Sequence, residues 1–434
     1  MKHLKILFIA LTITTINHQT LTSQEIVCDS LIISMISVQE YNDKYISLFK
    51  LDESINDSMY YLLNINAHME IKENTADTIM LQTERIVGVL PAVIKIYDDH
   101  NVFYDTITQI ARMASHQPIP IKTHRLKSFK LEINYAALSG SEWFMEIPFD
   151  NHPKVLFFHT PFGGNILPNP VGREISYKDI YFKDIPDNFL SFSSFTPNNH
   201  DNTLDITFVD ISLYSSKNYE ANMLNVNIYF PDTISMNNFE AGKEKFFESL
   251  LKLNYYEKKT IDIIVAYLSI PKLKAAFGRA INEHIFCDTS FISGTQLTHE
   301  ILHVLYPIKA DKHEGQFFVG ESTIEWLTHY VMYGTFKINE KSRDRFNPQN
   351  SKSLYSLTIN DANSMHVVYN WGPDCIQNLA NETNPDKLFQ VIINFFRHYK
   401  HQTVSYQQFL DWLHDNLPKE EVDNLDKCVK HEFN

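Results

Sequence analysis

The sequence predicts an α+β fold, with a β-rich front half and a helix-rich back half. Between residues 120 and 235, stretches of aromatic and β-branched residues recur, separated by Pro, Asn and Gly clusters. From about residue 236 the apolar residues instead recur every three or four positions, as on a helix face. The chain has 434 residues, 44% of them hydrophobic, which is enough for a sizeable core and two or three domains. With 30 Phe and 22 Tyr it has far too many aromatics for a disordered chain, and its 12 Gly include no glycine-rich phosphate loop.

Residues 1–23 read as an export leader. "MKHLK" is basic, "ILFIALTITTI" is a short apolar run and "NHQTLTSQE" is polar, with cleavage expected near Thr22 or Ser23. The run is too short to span a bilayer, and no later stretch reaches about 18 apolar residues. The expectation is a periplasmic or extracellular protein without a membrane span. Cys28 sits behind bulky Val27 and well past the apolar run, unlike a lipoprotein cysteine. The formal charge is −14, and loss of Lys2 and Lys5 with the leader makes it more negative, which disfavours nucleic-acid and anionic-lipid partners. Four cysteines, Cys28, Cys287, Cys375 and Cys428, permit disulfides in an exported protein. Their wide spacing contains no C-x-x-C pair for a cysteine zinc site.

Residues 24–235 form the β-rich region, whose role the sequence leaves open. Within it, "YNDKYISLFKLDESINDSMYYLL" reads as helical, and "TERIVGVLPAVIKIY" carries a Pro that breaks a simple assignment. "FKLEINYAAL", "EWFMEIPF", "KVLFFHTPF", "LDITFVDISLY" and "MLNVNIYF" read as strands. "FGGNILPNPVG" and "FTPNNHDNT" read as surface loops. A second domain is expected over 236–434. It opens with the helical "NNFEAGKEKFFESLLKLNYYEK", then the strand "TIDIIVAYLSI" and the edge-strand candidate "GRAINEHIFCD". Helices follow at 295–306, 321–333 and 385–400.

The chemistry concentrates in "QLTHEILHVLYP". Spacing i, i+4 puts His299 and His303 on one helix face, one turn apart, so both imidazoles can aim a lone pair at one ion. Glu300 is rotated off that face and can approach a water at the ion without ligating it. Two imidazoles and a carboxylate suit Zn²⁺, with one position left open. The apolar setting needs such a reason for three polar groups. The carboxylate is expected from "FVGESTIEWLTHYVMYG", where Glu321 and Glu325 again stand at i, i+4. One completes the site, and the other fixes a ligand imidazole through its second nitrogen. His329 reads as a packed or exposed histidine. The longer metzincin pattern fails, because its later Gly and His positions hold Tyr306 and Lys309; His313 is a weaker substitute ligand.

H-E-x-x-H on one helix followed by a Glu on the next resembles the gluzincin zinc metallopeptidases, most closely the aminopeptidase N-like group. The resemblance covers roughly residues 240–415. It implies a thermolysin-like catalytic domain, a small mixed sheet plus helices. It also implies Zn²⁺ held by His299, His303 and Glu321, with Glu325 orienting His299. Glu300 would be the general base that takes a proton from water and delivers it to the leaving amine. The group's Y-x-K-G tyrosine, an oxyanion donor, is matched by Tyr369 in "YNWG", with Trp371 in place of the Lys. Its G-x-M-E-N segment, which contacts the substrate backbone and free amine, stands here only as "GRAINEH". The implied activity is hydrolysis of peptide or protein substrates, by exo- or endo-cleavage. Those two departures also fit a rival, a non-catalytic exported binding or assembly protein on a peptidase-like scaffold. The intact Glu300 argues against it, because a structural zinc site has no use for a general base.

Overall fold

A computed structural model describes residues 26–37, 60–71, 78–82, 89–98, 100–109, 118–122, 127–138, 155–158, 169–170, 175–193, 206–266, 278–281, 283–289, 294–310, 314–337, 352–357 and 367–431. The chain divides into two compact units, Met1–Leu213 and Tyr214–Asn434.

The described part of the first unit is built of strands. They are β1 (Ile26–Ser37), β2 (Tyr60–Ile71), β3 (Thr78–Gln82), β4 (Val89–Tyr97), β5 (Phe103–Gln109), β6 (Pro118–Lys122), β7 (Ser128–Leu138), β8 (Val155–Phe158), β9 (Asn169–Pro170), β10 (Ile175–Tyr177), β11 (Ile180–Lys183), β12 (Phe189–Ser193) and β13 (Ile206–Asp210). The main sheet has the order β10-β1-β2-β7-β4-β5, with β11 also beside β1. Its register aligns one apolar row: Ile33 opposite Ile65 and Ile65 opposite Ile133, then Leu31, Ala67 and Leu131 in the same way. All six are buried, whereas Asn66, Lys130 and Glu132 between them point to the other face, as a period of two requires. The proline that obscured "TERIVGVLPAVIKIY" is Pro91, inside β4. The β4–β7 register shifts between Val89 and Ala92, so the residue without an N–H sits where the ladder is interrupted. The last residues of the stretch read as helical, Tyr60–Leu63, belong to β2 instead. Their partners in β7 are supplied from far along the chain. "EWFMEIPF", "FTPNNHDNT" and the leader lie outside the described residues.

The second unit holds a five-stranded sheet in the order β14-β15-β16-β18-β17: β14 (Ser215–Ala221), β15 (Leu224–Phe230), β16 (Lys259–Ala266), β17 (Gly278–Ile281) and β18 (His284–Asp288). β15, β16 and β18 run parallel, and the outer strands pair antiparallel. The unit therefore starts at Tyr214 rather than at 236. The switch from strand to helix spacing marks the turn from β15 into its crossover helix α1 (Thr233–Lys252), inside one β-α-β unit. "GRAINEHIFCD" is a hairpin. Its second half, β18, is an interior strand and only β17 is the edge.

Among the described residues, six more helices belong to the unit: α2 (Gly294–Leu305), α3 (Thr323–Tyr333), α4 (Gly372–Glu382), α5 (Pro385–His398), α6 (Tyr406–Asn416) and α7 (Lys419–Lys430). A short pair, β19 (Lys309–Ala310) and β20 (Thr403–Val404), links the segment after α2 to the one before α6. Buried Phe230, Phe239, Phe246, Leu297, Ile301, Trp326 and Phe395 belong to one continuous core. Trp326 Nε1 donates to Gln377 Oε1 at 3.1 Å, joining α3 to α4. A disulfide between Cys375 and Cys428 joins α4 to α7, and Cys28 and Cys287 are buried free thiols. No described helix is long and apolar enough to cross a membrane.

Candidate metal centre and active site

α2 follows β18 and packs against α1, α3 and β17. Leu297, Ile301, Leu302, Val304 and Leu305 bury its apolar side. At its N-terminus, a Cβ on Gly294 would meet Met332 Cε at 3.1 Å and Phe246 Cβ at 3.5 Å, so glycine allows the close approach to α1 and α3. At its C-terminus, Lys259 Nζ donates to the Val304 carbonyl at 3.0 Å, satisfying one of the helix's unpaired carbonyls. The helix is thus held at both ends. From it, buried His299 and half-buried His303 project one turn apart, with their Nε2 atoms 3.1 Å from each other.

The sequence reading started the next helix at 321. Here a wide π-helical turn, Phe318–Ser322, precedes α3, and the Thr323 N–H reaches back five residues to the Phe318 carbonyl. Glu321 sits on this turn. Its Oε2 lies 3.4 Å from His299 Nε2 and 3.6 Å from His303 Nε2. Glu325, one turn later, accepts from His299 Nδ1 at 2.8 Å through Oε2. Tyr369 stands on a second π-helical turn, Val367–Trp371, and its hydroxyl donates to Glu321 Oε2 at 2.8 Å. The two turns are clasped together: Ser322 Oγ donates to the Val368 carbonyl at 2.7 Å. The clasp needs Gly372, where a Cβ would lie 2.1 Å from Ser322 Oγ. Single π turns of this kind recur at functional sites because they re-aim one side chain out of a regular helix.

The electrostatics follow from these contacts. Burial alone would push the His299 imidazolium down; bonds to the Glu321 and Glu325 carboxylates outweigh it and raise the group to about 10. Burial opposes the charge of Glu321, yet the two imidazoles hold its carboxyl well below the usual range. Partial burial also opposes the charge of half-buried Glu325, yet bonds to His299 and His329 hold its carboxyl at about 2. Burial and the neighbouring Glu321 carboxylate push the Tyr369 phenol far up, so it stays a proton donor at any ordinary pH.

The three groups fit a tetrahedral zinc ion. With bonds of about 2.0–2.1 Å, the edges of such a tetrahedron are about 3.3 Å. The separations here, 3.1, 3.4 and 3.6 Å, bracket that value. Among the described residues, His299, His303 and Glu321 are the one group of three or more His, Cys, Asp or Glu that could share an ion. Glu300 is half-buried beside them. Its charge reaches His299 and Tyr369 and adds to burial in pushing the Cys287 thiol up.

The structure thus brings together the five residues singled out around the H-E-x-x-H helix, its Glu300 included, and Tyr369 from 48 residues beyond Glu321. Tyr369 is committed to the Glu321 carboxylate as well as facing the cluster. His313 lies outside the described residues. Two contributors were missed. His329 reads in sequence as packed or exposed, yet its Nε2 lies 3.2 Å from Glu325 Oε1. The i, i+4 spacing that linked Glu321 to Glu325 also links Glu325 to His329 and was the available signal. Ser322 carries no signal in sequence, since its partner is a carbonyl 46 residues away.

Comparison by sequence with protein-family models and with curated proteins finds no match. Comparison by structure finds similar folds. The M1 zinc metallopeptidase from Deinococcus radiodurans is similar at a TM-score of 0.53 and 10% identity, over 94% of this chain and 95% of that one. A mutant of the same enzyme is similar at a TM-score of 0.51, with the same identity and coverage. At 10% identity the likeness shows a similar fold and nothing more.

Proposed function

We propose that this chain is an exported zinc peptidase. The observation that carries the proposal is the meeting of His299 Nε2, His303 Nε2 and Glu321 Oε2 at tetrahedron-edge distances, with the charge of half-buried Glu300 reaching His299 and Tyr369. The shared fold supports it. When bound, zinc supplies Lewis-acid chemistry: it polarises a carbonyl and acidifies water towards a pKa of about 7. The protein's own groups do the rest. Glu325 accepts from His299 Nδ1, a bond that would leave the Nε2 lone pair of a neutral His299 free to hold the ion. Glu300 takes a proton from the attacking water as the C–O bond forms, and passes it to the peptide nitrogen as the C–N bond breaks. Tyr369, whose hydroxyl donates to Glu321 Oε2, would turn that one proton to the oxyanion that develops on the carbonyl; loss of such a donor raises the barrier by about 3 kcal/mol. The leader at 1–23 motivates export, and the Cys375–Cys428 disulfide supports an oxidising compartment.

The test is hydrolysis of a mixed peptide library, with zinc content measured on the same sample. Wild type should carry one zinc per chain and lose cleavage on chelation, while Glu300→Gln should retain the zinc and lose cleavage. A wild type that binds no zinc, or a Glu300→Gln variant with full activity, overturns the reading.

A further inference from the structure

We infer that His329 is a positioning residue for the metal centre, acting through Glu325; the inference rests on the zinc reading above. The Glu325 carboxylate is shared between two imidazoles, one oxygen each. Oε2 faces His299 Nδ1 at 2.8 Å and Oε1 faces His329 Nε2 at 3.2 Å. The last torsion of a glutamate side chain is soft, with no sharp staggered minimum. One hydrogen bond would leave the carboxylate free to rock about that torsion. Donors on both oxygens fix its plane and so fix the direction in which Oε2 meets His299. That bond in turn sets the tautomer of His299 and the aim of its Nε2.

His329 is itself held in place. Its ring meets Phe336 edge-on at 5.0 Å and tilts against Tyr333 at 5.6 Å. It stands one helical turn beyond Glu325 on α3, so its anchor is the same rigid element that carries the carboxylate. Its side chain is 24% exposed, so replacing it should not open the core. The bond to Glu325 involves neither His303 nor Glu321, so the effect on the ion is indirect, through the aim of a ligand that His329 never touches.

The experiment is zinc competition against a chromogenic chelator, on the full chain. His329→Phe keeps the ring packing and removes the donor; His329→Gln keeps a donor at a similar reach. His329→Phe should weaken zinc binding about tenfold, in the range seen when outer partners of ligands are removed. His329→Gln should recover most of that loss, and the thermal midpoint of the zinc-free protein should be the same in both variants. In a Glu325→Ala background, His329→Phe should change nothing further. Unchanged zinc affinity in His329→Phe, equal losses in the two variants, or a tenfold effect that persists without Glu325 would each overturn the inference while leaving the zinc reading intact. A wild type that binds no zinc would instead overturn the zinc reading itself.

Discussion

Adding one methyl group at Gly372 should damage both the fold and the metal centre. A Cβ there would lie 2.1 Å from Ser322 Oγ and 2.5 Å from Ser322 Cβ, far inside contact distance. Ser322 is fully buried, so it cannot swing into solvent. Either the hydroxyl rotates away and loses the Val368 carbonyl, or the two π-helical turns separate. Overpacking of this kind costs about 1–3 kcal/mol, and a buried polar pair left unmade costs about 1–3 kcal/mol more. The sum for Gly372→Ala is about 2–6 kcal/mol. Because the clasp adjoins both Glu321 and Tyr369, the same substitution should weaken zinc binding. The assay is urea unfolding followed by tryptophan fluorescence, since Trp326, Trp371 and Trp412 all report on the second unit. Gly242→Ala is the control. That glycine lies within α1, a Cβ there meets nothing within 4 Å, and alanine should stabilise by about 0.5–1 kcal/mol. If Gly372→Ala costs under about 1 kcal/mol and binds zinc as wild type does, the clasp is not what sets the site.

The other expectations concern ligands, pH and the disulfide. Glu321→Ala removes a carboxylate that faces both imidazoles and should lower zinc affinity more than Glu325→Ala, which costs about 10–100-fold. Equilibrium dialysis checks the order, and the reverse order would exchange the two roles. In the zinc-free protein, His299 is raised from 6.5 to about 10. Its contribution to stability is complete below about pH 6.5 and is lost as the pH rises through 10. Glu325, lowered to about 2, contributes above about pH 4.5 and loses that contribution as the pH falls through 2. The thermal midpoint in chelator should therefore fall between pH 6.5 and 10, while the gain from added zinc should grow as His299 loses its proton. A midpoint in chelator that climbs over that range would contradict the assigned contacts. The Cys375–Cys428 bridge closes a separation of 53 residues, for which loop entropy gives about 4 kcal/mol. Replacing both cysteines by serine should lower the urea midpoint accordingly and release α7 from α4, seen as faster amide exchange in α7.

The helix-rich back half was readable because its key signals are local. An i, i+4 pair of histidines on an amphipathic helix needs only helical geometry to converge, and α2 runs within one residue of the expected 295–306. The helices at α1 and α5 were likewise carried by periodicity within a single segment, and the strand at β16 by a short run apolar on both faces. The β-rich region was legible in kind and less so in detail. Strand pairing joins distant segments, so the tail of a stretch that reads as helical was recruited as the start of β2 by β7.

Residue identity and short-range spacing were enough to single out the histidines and carboxylates of the candidate site and the helix that presents the histidines, since those depend on chemistry and on one turn of α-helix. Long-range packing had to decide the rest: where the second unit begins, which strand forms the sheet's edge, and which cysteines join. It also decided that Glu321 and Tyr369 leave their helices on widened turns clasped by Ser322 against Gly372. These features arise from contacts between segments tens of residues apart, and no local pattern encodes the distance between two turns that meet only in the folded chain.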